Sequence, residues 1–129
     1  EQTRLGIPLL FAADVIHGMR TVFPIPLAEA ASFEPALAER TARATAVEAT
    51  AAGIHWTFAP MVDIARDQRW GRVAEGAGED TVLGCAFAAA RVRGFQGEDL
   101  KAADALLATP KHFAGYGAVA AGMEYNEVD

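Results

Sequence analysis

The feature that most constrains this chain is a set of three apolar runs with β character, the first unbroken and the second largely apolar, each ending in polar residues and separated by helical periodicity. Ile7 to Ala13 ends at Asp14, His55 to Val62 ends at Asp63, and Leu106 to Phe113 closes in Lys111-His112-Phe113. The first two suit strands buried on two faces, the habit of parallel sheets. Between the first two, Pro35 suits a first helical turn and Gly53 a C-terminal cap. Leu37, Thr41, Ala44, Val47 and Ala51 recur there at helical spacing and mark one helix face. Between the second and third, Leu83, Phe87 and Ala90 mark a helix face that runs out at Gly94. The order β-α-β-α-β predicts an α/β fold with parallel strands joined by right-handed crossovers.

Three parallel strands would leave two sheet edges open and one face poorly covered. The reading that answers this is an incomplete segment of a (β/α)8 TIM-like barrel, which typically needs about 250 residues, against the 129 present. A free-standing small α/β domain is the alternative. The 11 basic and 17 acidic side chains give a formal charge of −6 with no Lys/Arg block, so no nucleic-acid partner is expected. No membrane span is expected either, because Glu, Arg or Gly interrupts every alanine-rich stretch before the roughly 18 to 20 apolar residues a span needs. Glu1-Gln2-Thr3-Arg4 shows no signal-peptide pattern. Cys85 has no partner for an internal disulfide and is expected to be a small, buried apolar residue of the second helix.

In parallel α/β architectures ligands bind beyond the carboxyl ends of the strands. Those ends carry Asp14 and His17; then Asp63, Arg66, Asp67, Arg69, Trp70 and Arg72; then Lys111 and His112. Carboxylate, guanidinium, ammonium and imidazole beside aromatic faces (Trp70, Phe113) are what a pyranose requires: its hydroxyls donate to a carboxylate and accept from Arg or Lys, and its C–H faces pack on a ring. Asp63 and Asp67 also suit side-chain-to-backbone caps of an irregular loop. Asp14 has less to cap, since Val15-Ile16-His17-Gly18 starts no strongly amphipathic helix. His17 and His55 suit buried histidines satisfied by backbone bonds. No metal site is expected, because the three histidines are far apart in sequence and no Cys accompanies them. Glu75-Gly76-Ala77-Gly78-Glu79-Asp80 lacks the Lys-Ser/Thr ending of a phosphate loop and carries three acids.

The segments RLGIPLLFAADVIHG, TVFPIPLAEAASF, GIHWTFAPMVDIARDQRWGRVAEGAGED and ATPKHFAGYGA, in this order, resemble the N-terminal barrel domain of family 3 glycoside hydrolases, in particular bacterial periplasmic-type β-glucosidases. The resemblance implies a retaining, exo-acting β-glycosidase with a second α/β sandwich domain, no cofactor, and a β-glucoside or cello-oligosaccharide as substrate. It implies that Asp14 binds sugar hydroxyls in the −1 subsite, with Arg72, Lys111 and His112 as further contacts, Tyr125 approaching the same subsite, and Glu75 orienting Arg72. It also implies that the nucleophilic Asp and the acid/base Glu lie beyond Asp129, in the rest of a parent chain, and that the compartment is periplasmic or extracellular. Gln68, where the family usually has Pro, is a departure. Three readings stay open: part of a β-glucosidase, part of a β-xylosidase of the same family, or a non-catalytic sugar-binding α/β domain.

Overall fold

The computed structural model describes residues 3–128. Its backbone follows the expected α/β order, with much shorter strands. β1 (Ala12–Ala13) pairs in parallel with β2 (Trp56–Thr57), in register Ala12 with Trp56 and Ala13 with Thr57. The third run joins the same side through parallel bridges, Trp56 with Leu107 and Met61 with Lys111. Backbone bonds from Thr57 N to Leu107 O (2.8 Å), Thr109 N to Ala59 O (2.9 Å) and Lys111 N to Pro60 O (2.9 Å) keep it in step. The three apolar runs therefore lie side by side in chain order and deliver their carboxyl ends to one edge.

Three helices surround this core: α1 (Pro26–Ala30), α2 (Pro35–Ala51) and α3 (Thr81–Gln96). Pro26 and Pro35 occupy first turns, where the missing N–H has no intrahelical partner to lose. Asp80 caps α3 by accepting from Leu83 N at 2.7 Å. Short 3-10 turns at Gln68–Trp70 and Val73–Glu75 shape the loop after the second run.

Four expectations need correction. Ile7 to Ala13 is not a strand buried on two faces: only its last two residues pair, and Ile7, Leu9, Leu10 and Phe11 are all exposed, since their side chains lie outside the core clusters of the described residues. The face of α2 is rotated from the one marked by Leu37, Ala44, Val47 and Ala51. Ala38, Ala42, Thr45, Ala46 and Ala49 are buried instead, while Ala44, Val47 and Ala51 face outward. The small residues win because α3 crosses at Gly94, where a Cβ would stand 2.4 Å from Glu39 O and 2.6 Å from the Ala42 Cβ, leaving no room for a larger side chain. Cys85 lies on α3 as expected but is exposed, since the side of α3 turned inward is the one carrying Phe87, Ala90, Arg91, Gly94 and Phe95. Finally, α3 continues past Gly94 to Gln96 and ends at Gly97, whose φ of 67° is the left-handed conformation glycine tolerates.

The main core joins Val15, Ala42, Ala46, Ala49, Ala59, Phe95 and Leu106, with Ala13 packed against it, and so ties both long helices to all three apolar runs. Below it, α1, α2 and α3 meet around a buried ion pair, Glu29 with Arg91. A second cluster of Met61, Ala65, Trp70 and Val119 sits under the loops that follow the strands.

Candidate functional site

Beyond the carboxyl ends of the three runs, the sequence-predicted residues gather in two neighbouring groups, joined through the adjacent Lys111 and His112. Asp14 follows β1 directly and accepts from Lys111 Nζ at 2.8 Å, across 97 residues of chain. Asp14 is half exposed while the Lys111 stem is largely buried, so the carboxylate faces outward with its cation beneath. The next residue, His112, is anchored by Asp63, whose Oδ2 accepts from His112 N at 3.1 Å and lies 2.8 Å from His112 Nδ1. The peptide between Lys111 and His112 is cis.

Arg72 comes from the irregular loop and is held in a fork: Nε donates to Glu75 Oε1 at 2.7 Å and Nη2 to Glu75 Oε2 at 2.8 Å. Its Nη1 donates to the Tyr116 hydroxyl at 3.3 Å, and its guanidinium carbon stands 5.5 Å from the centre of that ring. The Tyr116 hydroxyl in turn donates to Glu124. His112 packs edge-on against the Tyr116 ring at 4.4 Å, and Tyr125 lies 6.1 Å away on another side. Tyr116 is thus the hub that joins Arg72, His112 and Tyr125.

Electrostatics follow this geometry. The Arg72 guanidinium holds the Glu75 carboxyl below its ordinary value, helped by the charges of Lys111 and His112, which places Glu75 within the field of the whole cluster. Arg72 is pushed up in turn, chiefly by Glu75. Burial, and then the carboxylate of Glu124, push the Tyr116 phenol up to about 12, so it stays a protonated donor at neutral pH.

Asp14, Arg72, Lys111, His112 and Tyr125 therefore all belong to one constellation. Glu75 does grip Arg72, as the resemblance implied. Asp63 is no loop cap: its side chain is buried and serves His112. Asp67 is a true cap, accepting from Arg69 N at 2.9 Å, and the side chain of Arg69 holds its carboxyl down at about 2. Arg66 is exposed. His17 meets the backbone through Phe23 O at 3.0 Å. His55 also makes a backbone bond, accepting from Phe11 N at 3.3 Å, but it is exposed rather than buried.

Of the two expected aromatic faces, Trp70 is only 1% exposed and edge-packed under Tyr116, so its ring is a floor for the site rather than a platform for a ligand. Phe113 stands wholly in solvent. Tyr116 and Glu124 were missed by sequence reasoning. Tyr116 sits four residues beyond His112, outside any apolar run, and only the 3-10 turn at Tyr116–Ala118 brings it back over the cluster. A separate cleft of about 330 Å³ lies beside the cluster, lined by Asp63, Ile64, Arg66, His112 and Gly117, and it shares only Asp63 and His112 with it. Among the described residues no group of His, Cys, Asp and Glu is arranged to hold a metal ion.

A fixed carboxylate acceptor beside fixed ammonium, guanidinium and imidazole donors can bind a polyol, since each vicinal hydroxyl pair both donates and accepts. The family model described as the glycosyl hydrolase family 3 N terminal domain matches residues 1–129. A periplasmic beta-glucosidase of Salmonella typhimurium is 49% identical over 127 residues, which cover 98% of this chain and 17% of that protein. A putative beta-xylosidase of Formosa agariphila is 37% identical over 135 residues, covering 100% of this chain and 18% of its own length. Among solved structures, a beta-glucosidase from Listeria innocua in complex with glucose superposes with a TM-score of 0.92 at 52% identity, covering 97% of this chain and 18% of that one. The chain thus spans less than a fifth of the length of each of these three relatives.

Proposed function

The chain belongs to glycosyl hydrolase family 3, and from that premise we propose that it is part of the N-terminal, (β/α)8-like barrel domain of a retaining, exo-acting β-glucosidase. Its substrate is a terminal, non-reducing β-D-glucosyl residue of a β-glucoside or cello-oligosaccharide. The observation that carries the reading is the Asp14–Lys111 pair, 2.8 Å long and standing beside His112 and the Arg72–Glu75 fork. In this arrangement Asp14 takes two sugar hydroxyls, Lys111, His112 and Arg72 donate to neighbouring oxygens, and Tyr125 borders the same subsite.

The bond-breaking groups lie outside these 129 residues. A retaining mechanism needs a nucleophilic carboxylate and a carboxylic acid, roughly 5 to 5.5 Å apart. In this reading the acids of the cluster hold its other side chains in place instead: Asp14 pairs with Lys111, Asp63 with His112, Glu75 with Arg72 and Glu124 with Tyr116. Glu75 in addition has its carboxyl held low, the opposite of what a general acid needs. The rest of the parent chain is therefore the principal partner of this segment, and the exposed apolar surface of Leu5, Ile7, Leu9 and Phe11 suits burial against further barrel elements. A periplasmic or extracellular location is supported by the name of the Salmonella relative.

The full-length protein should hydrolyse an aryl β-glucoside, and Asp14→Asn should lower kcat/KM on the order of 100-fold, because a charge-assisted acceptor of two hydroxyls contributes several kcal/mol in the transition state. An Asp14→Asn enzyme within about threefold of the parent, on the scale where tenfold is about 1.4 kcal/mol, would remove Asp14 from the sugar site. A second reading, β-xylosidase, is favoured by the Formosa agariphila relatives at 37% and 38% identity. A kcat/KM higher on the aryl β-xyloside than on the glucoside would select it.

A further inference from the structure

Resting on the reading of Asp14 as a sugar contact, we propose that Arg91, on the outer helix α3, is a positioning residue that sets the place of the Asp14 carboxylate through the Ile16 carbonyl. Arg91 is 5% exposed and Glu29 2%, among the few charged residues buried in the protein, and neither touches the cluster at the strand ends. Arg91 Nη1 donates to Ile16 O at 3.0 Å, 75 residues away in sequence and two residues past Asp14. Nη2 pairs with Glu29 Oε2, and Glu29 Oε1 accepts from Thr41 Oγ1 at 2.7 Å. A chain of side-chain bonds therefore runs from α2 through α1 to α3 and ends on the backbone of the Asp14 loop.

A buried ion pair is a poor way to stabilise a core, since desolvation cancels most of its attraction and apolar residues of similar volume often do as well or better. What this pair supplies and an apolar pair cannot is a directed donor. The Asp14 loop is where it acts: between Ala13 and Pro26 there is no helix or strand, only the isolated bridge of Gly18 with Val22 and the bond from Phe23 N to His17 O at 2.8 Å, and the Asp14 side chain is half exposed with Lys111 as its bonded partner. On the strand side the loop is fixed by Val15 N donating to the buried Thr57 hydroxyl at 3.3 Å. On the far side Glu48 holds Arg20 N at 3.1 Å and Thr21 N at 2.9 Å. Arg91 supplies the fixed point between these two, so the chain leaving Asp14 is held at Val15, at Ile16 and again at Arg20 and Thr21, while Ala13 on the other side is held by its pairing with Thr57.

The test uses the full-length enzyme, an aryl β-glucoside, and glucose as competitive inhibitor. Arg91→Met, and Arg91→Lys in case the first does not fold, should lower kcat/KM about 10-fold, about 1.4 kcal/mol, with KM and the glucose inhibition constant both raised. A merely structural role would reduce the amount of folded enzyme, lowering kcat and leaving both constants where they were, and that result overturns the proposal. In the Asp14→Asn background the same Arg91 substitution should cost less than about twofold, because the group it positions is gone. Losses that multiply overturn it as well. If Asp14→Asn alone leaves kcat/KM intact, the sugar-contact reading fails first and this inference falls with it, so the two failures are told apart by the single variant.

Discussion

Two glycines of α3 should respond in opposite directions to the same substitution. Replacing glycine by alanine inside a helix gains about 0.8–1 kcal/mol of helix propensity, and both Gly84 and Gly94 lie within α3. At Gly94 the new methyl would stand 2.4 Å from Glu39 O, 2.6 Å from the Ala42 Cβ and 3.1 Å from Arg43 N. Carbon–carbon contacts settle at about 3.5–4.0 Å, so α3 must retreat from α2 by roughly 1 Å. Two of the three atoms met are backbone and cannot swing aside, so the cost falls toward the upper part of the 1–3 kcal/mol range for overpacking. Net of the propensity gain, Gly94→Ala should destabilise by about 1–2 kcal/mol. At Gly84 the only close atom is Ile64 Cδ1 at 3.0 Å, the far end of a flexible side chain, so Gly84→Ala should be neutral or stabilising by up to about 1 kcal/mol.

Thermal unfolding of the two full-length variants measures the difference directly, with Tm falling for Gly94→Ala and holding or rising for Gly84→Ala. Gly94 also lies one turn beyond Arg91, so the retreat of α3 should weaken the bond to Ile16 O and lower activity below what the loss of folded protein explains. Equal Tm values for the two variants would refute the argument that close helix approach selected the buried alanine face of α2.

Three further outcomes follow from the site. Arg72→Lys should not restore kcat/KM on an aryl β-glucoside, because a point charge cannot reproduce the planar fork that grips Glu75 through two bonds; a fully active variant would remove that role. Glu75 has its carboxyl lowered in the folded protein, so its pairing stabilises above the ordinary carboxylate value of about 4.3 and is lost as pH falls through the lowered folded value. The stability gap between the parent and Glu75→Gln, at most about 1 kcal/mol for a partly exposed pair, should therefore be largest at neutral pH and close in acid, which pH-dependent Tm measurements check. The 129 residues expressed alone should not turn over an aryl β-glucoside, and turnover abolished by Asp14→Ala would show that an acid within them serves as nucleophile.

Much of this organisation is written locally in the chain. Pro35, Asp80 and the apolar spacing determine where the long helices start, because caps and φ restriction act over a few residues. The three apolar runs, each ending in Asp14, Asp63 or Lys111-His112, determine that polar chemistry gathers at one sheet edge, since parallel strands all present the same end. Tertiary structure alone decided the rest. Alanine is nearly indifferent to burial by its own chemistry, so which face of α2 turned inward depended on the backbone of α3 at Gly94, 52 positions beyond Ala42. Trp70 became a buried floor and Tyr116 the hub above it because of how two loops cross, a contact no periodicity records. Asp63 and Arg91 took their partners, His112 and Glu29, from 49 and 62 residues away. A buried charge seeks whatever opposite charge or polar group the finished packing brings within reach, and only that packing says which.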